Sequence, residues 1–213
     1  MKSSLIRPAL ALALAAGLAG CGGSDKAEFV VKGTITGIVY PGAVLTTNGM
    51  EIAIAPPATP RATVSFSFPN TLEYGDVYDV AFKSFPANQK CDTPQGSFDN
   101  RRDTAGRLAE INITFACAVD IYTIGGTVSG LTADGLVLAN GSTGGTFSIA
   151  KPAAGVTTPI SYVFAGAVEY DQTYGVTVLT QPTGQVCTVA NATGTMKAAN
   201  VTNINVTCEA ARS

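Results

Sequence analysis

The chain has 213 residues, of which 46% are hydrophobic and 13% are charged, and its formal net charge is −2. It contains no histidine, which excludes Ser-His-Asp and Cys-His catalysis. It also has no basic stripe, so we expect no nucleic-acid partner. Abundant Gly, Thr, Val and Ala with few charges indicate ordered all-β domains.

The N-terminal segment has the pattern of an export signal. Two basic residues precede an apolar run over 9–19, which is too short to span a bilayer. The string Leu18-Ala19-Gly20-Cys21 resembles the lipobox of bacterial lipoproteins. The resemblance implies that residues 1–20 are removed, that Cys21 carries acyl chains such as palmitate, and that this lipid makes the membrane a partner. The alternative is an ordinary secretory signal with an incidental cysteine.

Residues 21–27 form the expected lipidated tether, which spans at most about 20–25 Å when extended. The first folded module is therefore expected close to the membrane. Gly22 follows Cys21, and by the sorting habit of enteric lipoproteins this resembles delivery to the outer rather than the inner membrane of the bacterial envelope.

Two copies of one module follow the tether, because ordered motifs recur at a nearly constant offset. The matched segments are Gly33–Gly37 with Gly126–Gly130, Glu73-Tyr74 with Glu169-Tyr170, Tyr78 with Tyr174, Pro86, Gln89 and Cys91 with Pro182, Gln185 and Cys187, and Ile113–Cys117 with Ile204–Cys208. We therefore predict one module over 28–118 and a second over 119–210, with little linker between them.

Apolar residues within each copy recur with a period of two, and short runs rich in Val, Ile, Thr, Phe and Tyr are separated by turn signals such as Asn48-Gly49 and Asp134-Gly135. In the second copy, strands are predicted near 123–130, 135–139, 145–150, 158–164, 173–180, 185–190 and 201–208. The predicted fold class is all-β, with two tandem Ig-like or prealbumin-like β-sandwiches of about seven strands each. A short helical turn is expected over 103–108.

Several segments resemble the prealbumin-like or Cna-B-like sandwich modules of bacterial surface proteins. They are Gly126-Thr127-Val128, Gly135–Leu138, Tyr162-Val163-Phe164 and Tyr174–Val178. The segments Gln181 through Cys187 and Asn203 through Cys208 are similar to repeats in proteobacterial surface lipoproteins of unassigned role. The resemblance implies a sandwich module on a bacterial surface.

Four cysteines remain after Cys21, an even number in an exported chain: Cys91, Cys117, Cys187 and Cys208. They form no C-x-x-C pair, and there is no histidine to help bind zinc, so disulfides are predicted instead of a metal site. If each copy folds alone, Cys91 pairs with Cys117 and Cys187 pairs with Cys208, which places one disulfide in each module. Each bridge would contribute roughly 3 kcal/mol in the chain-entropy model.

Two further patterns are candidates for a catalytic or a metal site. Ser148 and Lys151 fit the S-x-x-K string of penicillin-binding enzymes, but a strand would direct them to opposite faces. Glu73, Asp76 and Asp79 are either a calcium site at a sandwich end or a solvated turn, and they lack EF-hand spacing. We expect no cofactor and no catalytic residue.

A charged segment between Cys91 and Cys117 makes the first copy longer than the second. Arg101, Arg102 and Arg107 are therefore candidate recognition residues, because binding loops diverge while scaffolds persist. The partner would be an envelope protein or a glycan. The alternative is a solubilising surface loop.

These observations predict a membrane-anchored, non-catalytic envelope lipoprotein whose tandem sandwiches serve as a binding or spacer module. One alternative is an accessory subunit that docks onto a larger secreted or envelope machine. The other is an enzyme with an unrecognised site.

Overall fold

The computed structural model describes residues 26–141 and 145–212, and every regular element within these ranges is a β-strand. The first module contains β1 (Glu28–Thr36), β2 (Ala43–Thr47), β3 (Met50–Ile54), β4 (Val64–Glu73), β5 (Val77–Asp79), β6 (Ala81–Ser84), β7 (Gln89–Asp92), β8 (Arg102–Thr104) and β9 (Ile111–Val119). The second contains β10 (Ile121–Tyr122), β11 (Gly125–Ser129), β12 (Leu136–Asn140), β13 (Gly145–Ile149), β14 (Ile160–Val163), β15 (Val168–Glu169), β16 (Thr173–Thr180), β17 (Gln185–Val189), β18 (Thr193–Thr195) and β19 (Val206–Ala210).

The two modules share one topology. In the first, a sheet of order β4-β1-β9-β7 packs on a sheet of order β3-β2-β6, and in the second the sheets are β14-β11-β19-β17 and β13-β12-β16-β18. In both modules the first long strand runs parallel to the last strand and antiparallel to its other neighbour. The predicted all-β class with two tandem β-sandwiches is confirmed.

Each module has its own hydrophobic core. Strand β9 alternates buried and exposed positions, with Ile113 and Phe115 facing inward, because successive side chains of a strand point to opposite faces. The second core gathers Leu138, Phe164 and Ile204. Each such side chain contributes about 1.5–3 kcal/mol to stability when fully buried. Because the two clusters contain residues of different copies, each copy has its own core.

The repeated G-T-x-x-G string serves strand packing. A Cβ atom on Gly126 would lie 1.9 Å from the carbonyl oxygen of Ile204 in the adjacent parallel strand. A Cβ atom on Gly33 would lie 2.0 Å from the equivalent oxygen of Ile113. Since no side chain fits at either distance, the motif is required by the close approach of the first and last strands in each module.

The last strand of the second module is shorter than predicted. Val201 forms only an isolated bridge, and β19 begins at Val206 instead of near 201. Asn205 explains the delay, because its side-chain oxygen accepts the backbone N–H of Thr127 at 3.2 Å. The N–H of Thr127 thus donates to a side chain instead of to a backbone carbonyl oxygen of the last strand.

The helical turn expected over 103–108 is wrong. Arg102–Thr104 forms β8, which pairs antiparallel with β5, and Gly106 then turns the chain with a φ of +94°. The second module makes the same pairing between β16 and β18. Pairing with a distant strand therefore overrides the local signal.

Candidate functional site

The predicted disulfides are both present. Cys91 and Cys117 are directly opposite each other on β7 and β9, and Cys187 and Cys208 take the same place on β17 and β19. One bridge per module is therefore confirmed, and each joins neighbouring strands of one sheet. The predicted lipid-bearing residue, Cys21, lies outside the described residues.

The three candidate recognition arginines are all held by carboxylates of their own module. Arg101 contacts Asp99 at 2.9 Å and Asp92 at 3.0 Å, while Arg102 pairs with Asp79 and Arg107 with Asp103. The hydrogen bond from Arg101 holds the pKa of the Asp99 carboxyl below its ordinary value. The segment therefore presents balanced charge to solvent, and its recognition role stays a prediction.

Phe98 is the most exposed apolar side chain in this segment, with 81% of its surface accessible. Sequence reasoning singled out the arginines and missed this ring. The signal available in the sequence was a single aromatic residue among polar ones, in a segment that has no counterpart in the second copy. It gives the segment an apolar tip beside internally paired charges.

The carboxylates considered for calcium have separate partners. Glu73 pairs with Lys26, Asp79 with Arg102, and the Asp76 carboxylate accepts the backbone N–H of Glu73 at 2.9 Å. Within the described ranges, no group of three or more Cys, Asp or Glu side chains is arranged to hold a metal ion. The arrangement instead caps the turn between β4 and β5.

The S-x-x-K residues also separate. Ser148 lies within β13, while Lys151 lies beyond it and forms an ion pair with Asp134 at 3.3 Å. The backbone N–H of Lys151 binds the same carboxylate at 3.1 Å and lowers the pKa of Asp134 below its ordinary value. The side chain of Lys151 thus secures the connection between β11 and β12.

The repeated glutamines are structural. Gln185 is buried, and its side-chain oxygen accepts the N–H groups of Thr132 at 2.8 Å and Ala133 at 3.1 Å, while its amide donates to the carbonyl oxygen of Gly130 at 2.7 Å. Gln89 makes the same three bonds in the first module. The two repeated glutamines are therefore both used to hold backbone groups in place.

The contact between the modules was not predicted. The ring of Tyr40 lies edge-on to that of Tyr170, with centroids 5.5 Å apart, and its hydroxyl donates to the Tyr170 carbonyl oxygen at 3.2 Å. Arg61 pairs with Glu169 at 2.5 Å across the same boundary. The available signal was the repeated Glu-Tyr pair, which sequence reasoning used only to align the copies.

The chain enters the two modules in the same way. The Tyr74 N–H donates to the carbonyl oxygen of Ala27 at 3.0 Å, and the Tyr170 N–H donates to that of Asp120 at 2.9 Å. The residues that precede these two carbonyl groups differ between the modules. Asp120 directly follows β9 of the first module, whereas Ala27 follows Lys26, the first described residue.

An open groove of about 360 Å³ crosses the outer face of the first module over β4, β1 and β9. Lys32, Ser65, Ser67 and Asn112 line it with polar groups. In the described part of the chain, no buried side-chain nitrogen or oxygen lacks a hydrogen-bond partner. The polar side chains that line the groove are themselves exposed to solvent.

Comparison with known protein families gives no match, and no curated protein matches the chain. No helix in residues 26–141 and 145–212 is long and apolar enough to cross a membrane.

Proposed function

We propose that the protein is a lipid-anchored, non-catalytic lipoprotein of the bacterial envelope, located at the outer rather than the inner membrane. Its two sandwiches form a spacer that carries a binding surface away from the membrane. The contact of Tyr40 and Arg61 with Tyr170 and Glu169 carries the proposal, because it joins the modules through side chains as well as through the chain.

The direction of the chain supports a spacer. Ala27 lies at the end of the first module opposite Tyr40, since β1 runs from one end to the other. In the second module, the Ala211 N–H donates to Gly184 at the end where β11 finishes and β17 begins. The N-terminal and C-terminal ends of the described chain thus lie at opposite ends of the pair. A nine-residue strand spans about 30 Å, so each module adds a length of this order.

The repeated residues support a non-catalytic role. The glycines, glutamines and cysteines that recur in both copies are occupied by strand packing, backbone hydrogen bonds and disulfides. Outside these, four arginines are joined to carboxylates in surface ion pairs, namely Arg61, Arg101, Arg102 and Arg107. These roles account for the motifs without a reaction.

Lipidation is tested by metabolic labelling with a clickable palmitate analogue in a bacterial host. The wild-type protein should be labelled and should require detergent for extraction, because two or more acyl chains anchor a protein stably. The Cys21→Ser variant should lose both properties. A Cys21→Ser protein that remains labelled and membrane-bound would contradict the anchor.

The spacer is tested by measuring distances between spin labels placed on Ser67→Cys and Thr188→Cys, one in each module. The distance distribution should be narrow, and Tyr40→Ala should broaden it because the ring contact is lost. Tyr74→Ala is the matched control, since Tyr74 has the same sequence context as Tyr170 but lies outside the boundary between the modules. A distribution already broad without Tyr40→Ala would refute a spacer of defined length.

A crosslinking pull-down from envelopes separates the spacer from an accessory subunit of a larger machine. Stoichiometric recovery of one multi-protein assembly would favour the accessory role. The same experiment with Arg101, Arg102 and Arg107 changed to Ser tests the recognition segment. The loss of these three charges should reduce the amount of partner that is recovered. An unchanged set of partners would assign that segment to surface solvation alone.

A further inference from the structure

The end of the first module around Tyr74 is the counterpart of a surface that the second module uses for contact. Glu169-Tyr170 meets Arg61 and Tyr40 of the preceding module. The equivalent pair, Glu73-Tyr74, contacts no second module within the described residues. Glu73 pairs instead with Lys26 on the tether, and Tyr74 is 69% exposed.

This end is well defined by backbone contacts. The N–H of Gly75 donates to the Ala105 carbonyl oxygen at 3.0 Å, which joins the turn after β4 to the turn after β8. The Asn48 amide donates to the carbonyl oxygen of Val77 at 2.9 Å, which adds the β2–β3 turn. The Tyr74 ring packs over Gly106, since a Cβ atom there would lie 2.3 Å from a ring carbon.

The exposed side chains at this end suit a lipid interface. Val77 is 65% exposed and Leu108 is 38% exposed, and they accompany the phenol of Tyr74. Tyrosine is enriched at membrane interfaces because its ring is apolar and its hydroxyl is polar. Of the neighbouring charges, Arg107 pairs with Asp103 and Lys26 with Glu73, while the Asp76 carboxylate accepts the backbone N–H of Glu73, so this end carries only a small net negative charge.

The length of the tether indicates that the bilayer is what covers this end of the first module. Six residue steps separate Cys21 from Ala27, and an extended chain covers at most about 20 Å in that number of steps. Ala27 lies at this end, since its carbonyl oxygen accepts the Tyr74 N–H. A lipid on Cys21 would therefore hold this surface within one short tether of the bilayer.

We propose that the end of the first module formed by Tyr74, Val77 and Leu108 rests on the membrane surface, with the ring of Tyr74 among the lipid headgroups. The bilayer thus takes the place that the first module takes against Tyr170. The proposal rests on the lipid anchor at Cys21 proposed above. Its consequence is an upright pair of modules whose second member projects away from the membrane.

The chain contains no tryptophan, so Tyr74→Trp gives the protein a single indole probe. The lipidated full-length mature variant is reconstituted into phosphatidylcholine–phosphatidylglycerol vesicles, with and without brominated acyl chains. Leu179→Trp, also at an exposed position, is the matched control in the second module. The indole of the Tyr74→Trp variant should lose most of its emission in brominated vesicles, while that of the Leu179→Trp variant should be unaffected. The exposure of Tyr74 allows the substitution to fold, and near-ultraviolet circular dichroism checks this.

Vesicle flotation in the same samples separates the two levels of the proposal. A Tyr74→Trp protein that floats while its indole emission is insensitive to bromine has its anchor but overturns the membrane contact. Indole emission from this variant that is shifted to the blue but insensitive to bromine shows that protein covers the site, such as a second copy, and also overturns it. If the mature Tyr74→Trp protein isolated from the bacterial host carries no acyl chain and fails to float, the anchor and the contact are refuted together.

Discussion

The hydroxyl of Tyr162 donates a 2.8 Å hydrogen bond to the backbone carbonyl oxygen of Ile204 inside the second module. Tyr162 lies on β14 and is only 3% exposed. The aligned position of the first module is Phe66, which has no hydroxyl. Burial raises the pKa of Tyr162 from 10.0 to about 12.

The second module should therefore lose stability in alkaline solution. The folded protein favours the neutral phenol, so the stabilisation is complete below pH 10 and disappears as the pH rises toward 12. The difference corresponds to about 2–3 kcal/mol at 1.36 kcal/mol per pKa unit. About half of this loss, about 1.4 kcal/mol, should have occurred at pH 11, and urea unfolding at about pH 8 and about pH 11 measures it.

Tyr162→Phe is the control for this alkaline effect. It should cost about 1 kcal/mol at neutral pH, because the Ile204 carbonyl loses its partner, but it should remove the extra loss at high pH. Other tyrosines titrate equally in both proteins and cancel in the comparison. Equal alkaline losses in the two proteins would show that Tyr162 does not contribute.

Gly126→Ala should strongly destabilise the second module. The new methyl group would lie 1.9 Å from the Ile204 carbonyl oxygen, so β11 and β19 would have to separate. A loss of about 3 kcal/mol or more is expected for overpacking against backbone. Gly175→Ala is the matched control, because a methyl group there would find its nearest neighbour 3.9 Å away and its φ is not positive. Thermal unfolding of both variants measures the difference, and similar melting temperatures would contradict the packing role.

Gln185→Ala should unfold the second module more readily and spare the first. The substitution leaves two backbone N–H groups and one carbonyl oxygen without their side-chain partner, at a cost of about 2–4 kcal/mol. Hydrogen exchange read separately for each module detects the selective loss. Gln172→Ala, at an exposed position, should leave exchange unchanged. Equal loss of protection in both modules would mean that they unfold as one unit.

Removing the second disulfide by Cys187→Ala with Cys208→Ala should lower the stability of that module by about 3 kcal/mol. The bridge closes a sequence separation of 21 residues, and the first module keeps its own bridge of separation 26. Non-reducing peptide mapping should recover the two linked fragment pairs from the unmodified protein. Recovery of Cys91 linked to Cys187 would contradict independent modules.

The local elements were predictable because their signals are local. The period-two pattern placed strands such as β16, and the duplicated cysteines paired correctly once each copy was treated as one fold. The segment over 103–108 was predicted wrongly, because β8 exists through pairing with β5 and its own residues carry little strand signal. Similarly, the delayed start of β19 depends on the side chain of Asn205, which no periodicity reveals.

The sequence by itself determined the duplication, the all-β class and the pairing of the cysteines, because these follow from periodicity and from the order of repeated residues. Only the tertiary structure decided what the repeated residues do. Gln185 bonds to backbone more than fifty positions away, and Tyr40 meets a tyrosine 130 positions along the chain. Such contacts arise when strands from distant segments pack together, so their partners are not encoded in any single stretch of sequence. The same packing leaves Tyr74 uncovered where its counterpart Tyr170 is in contact.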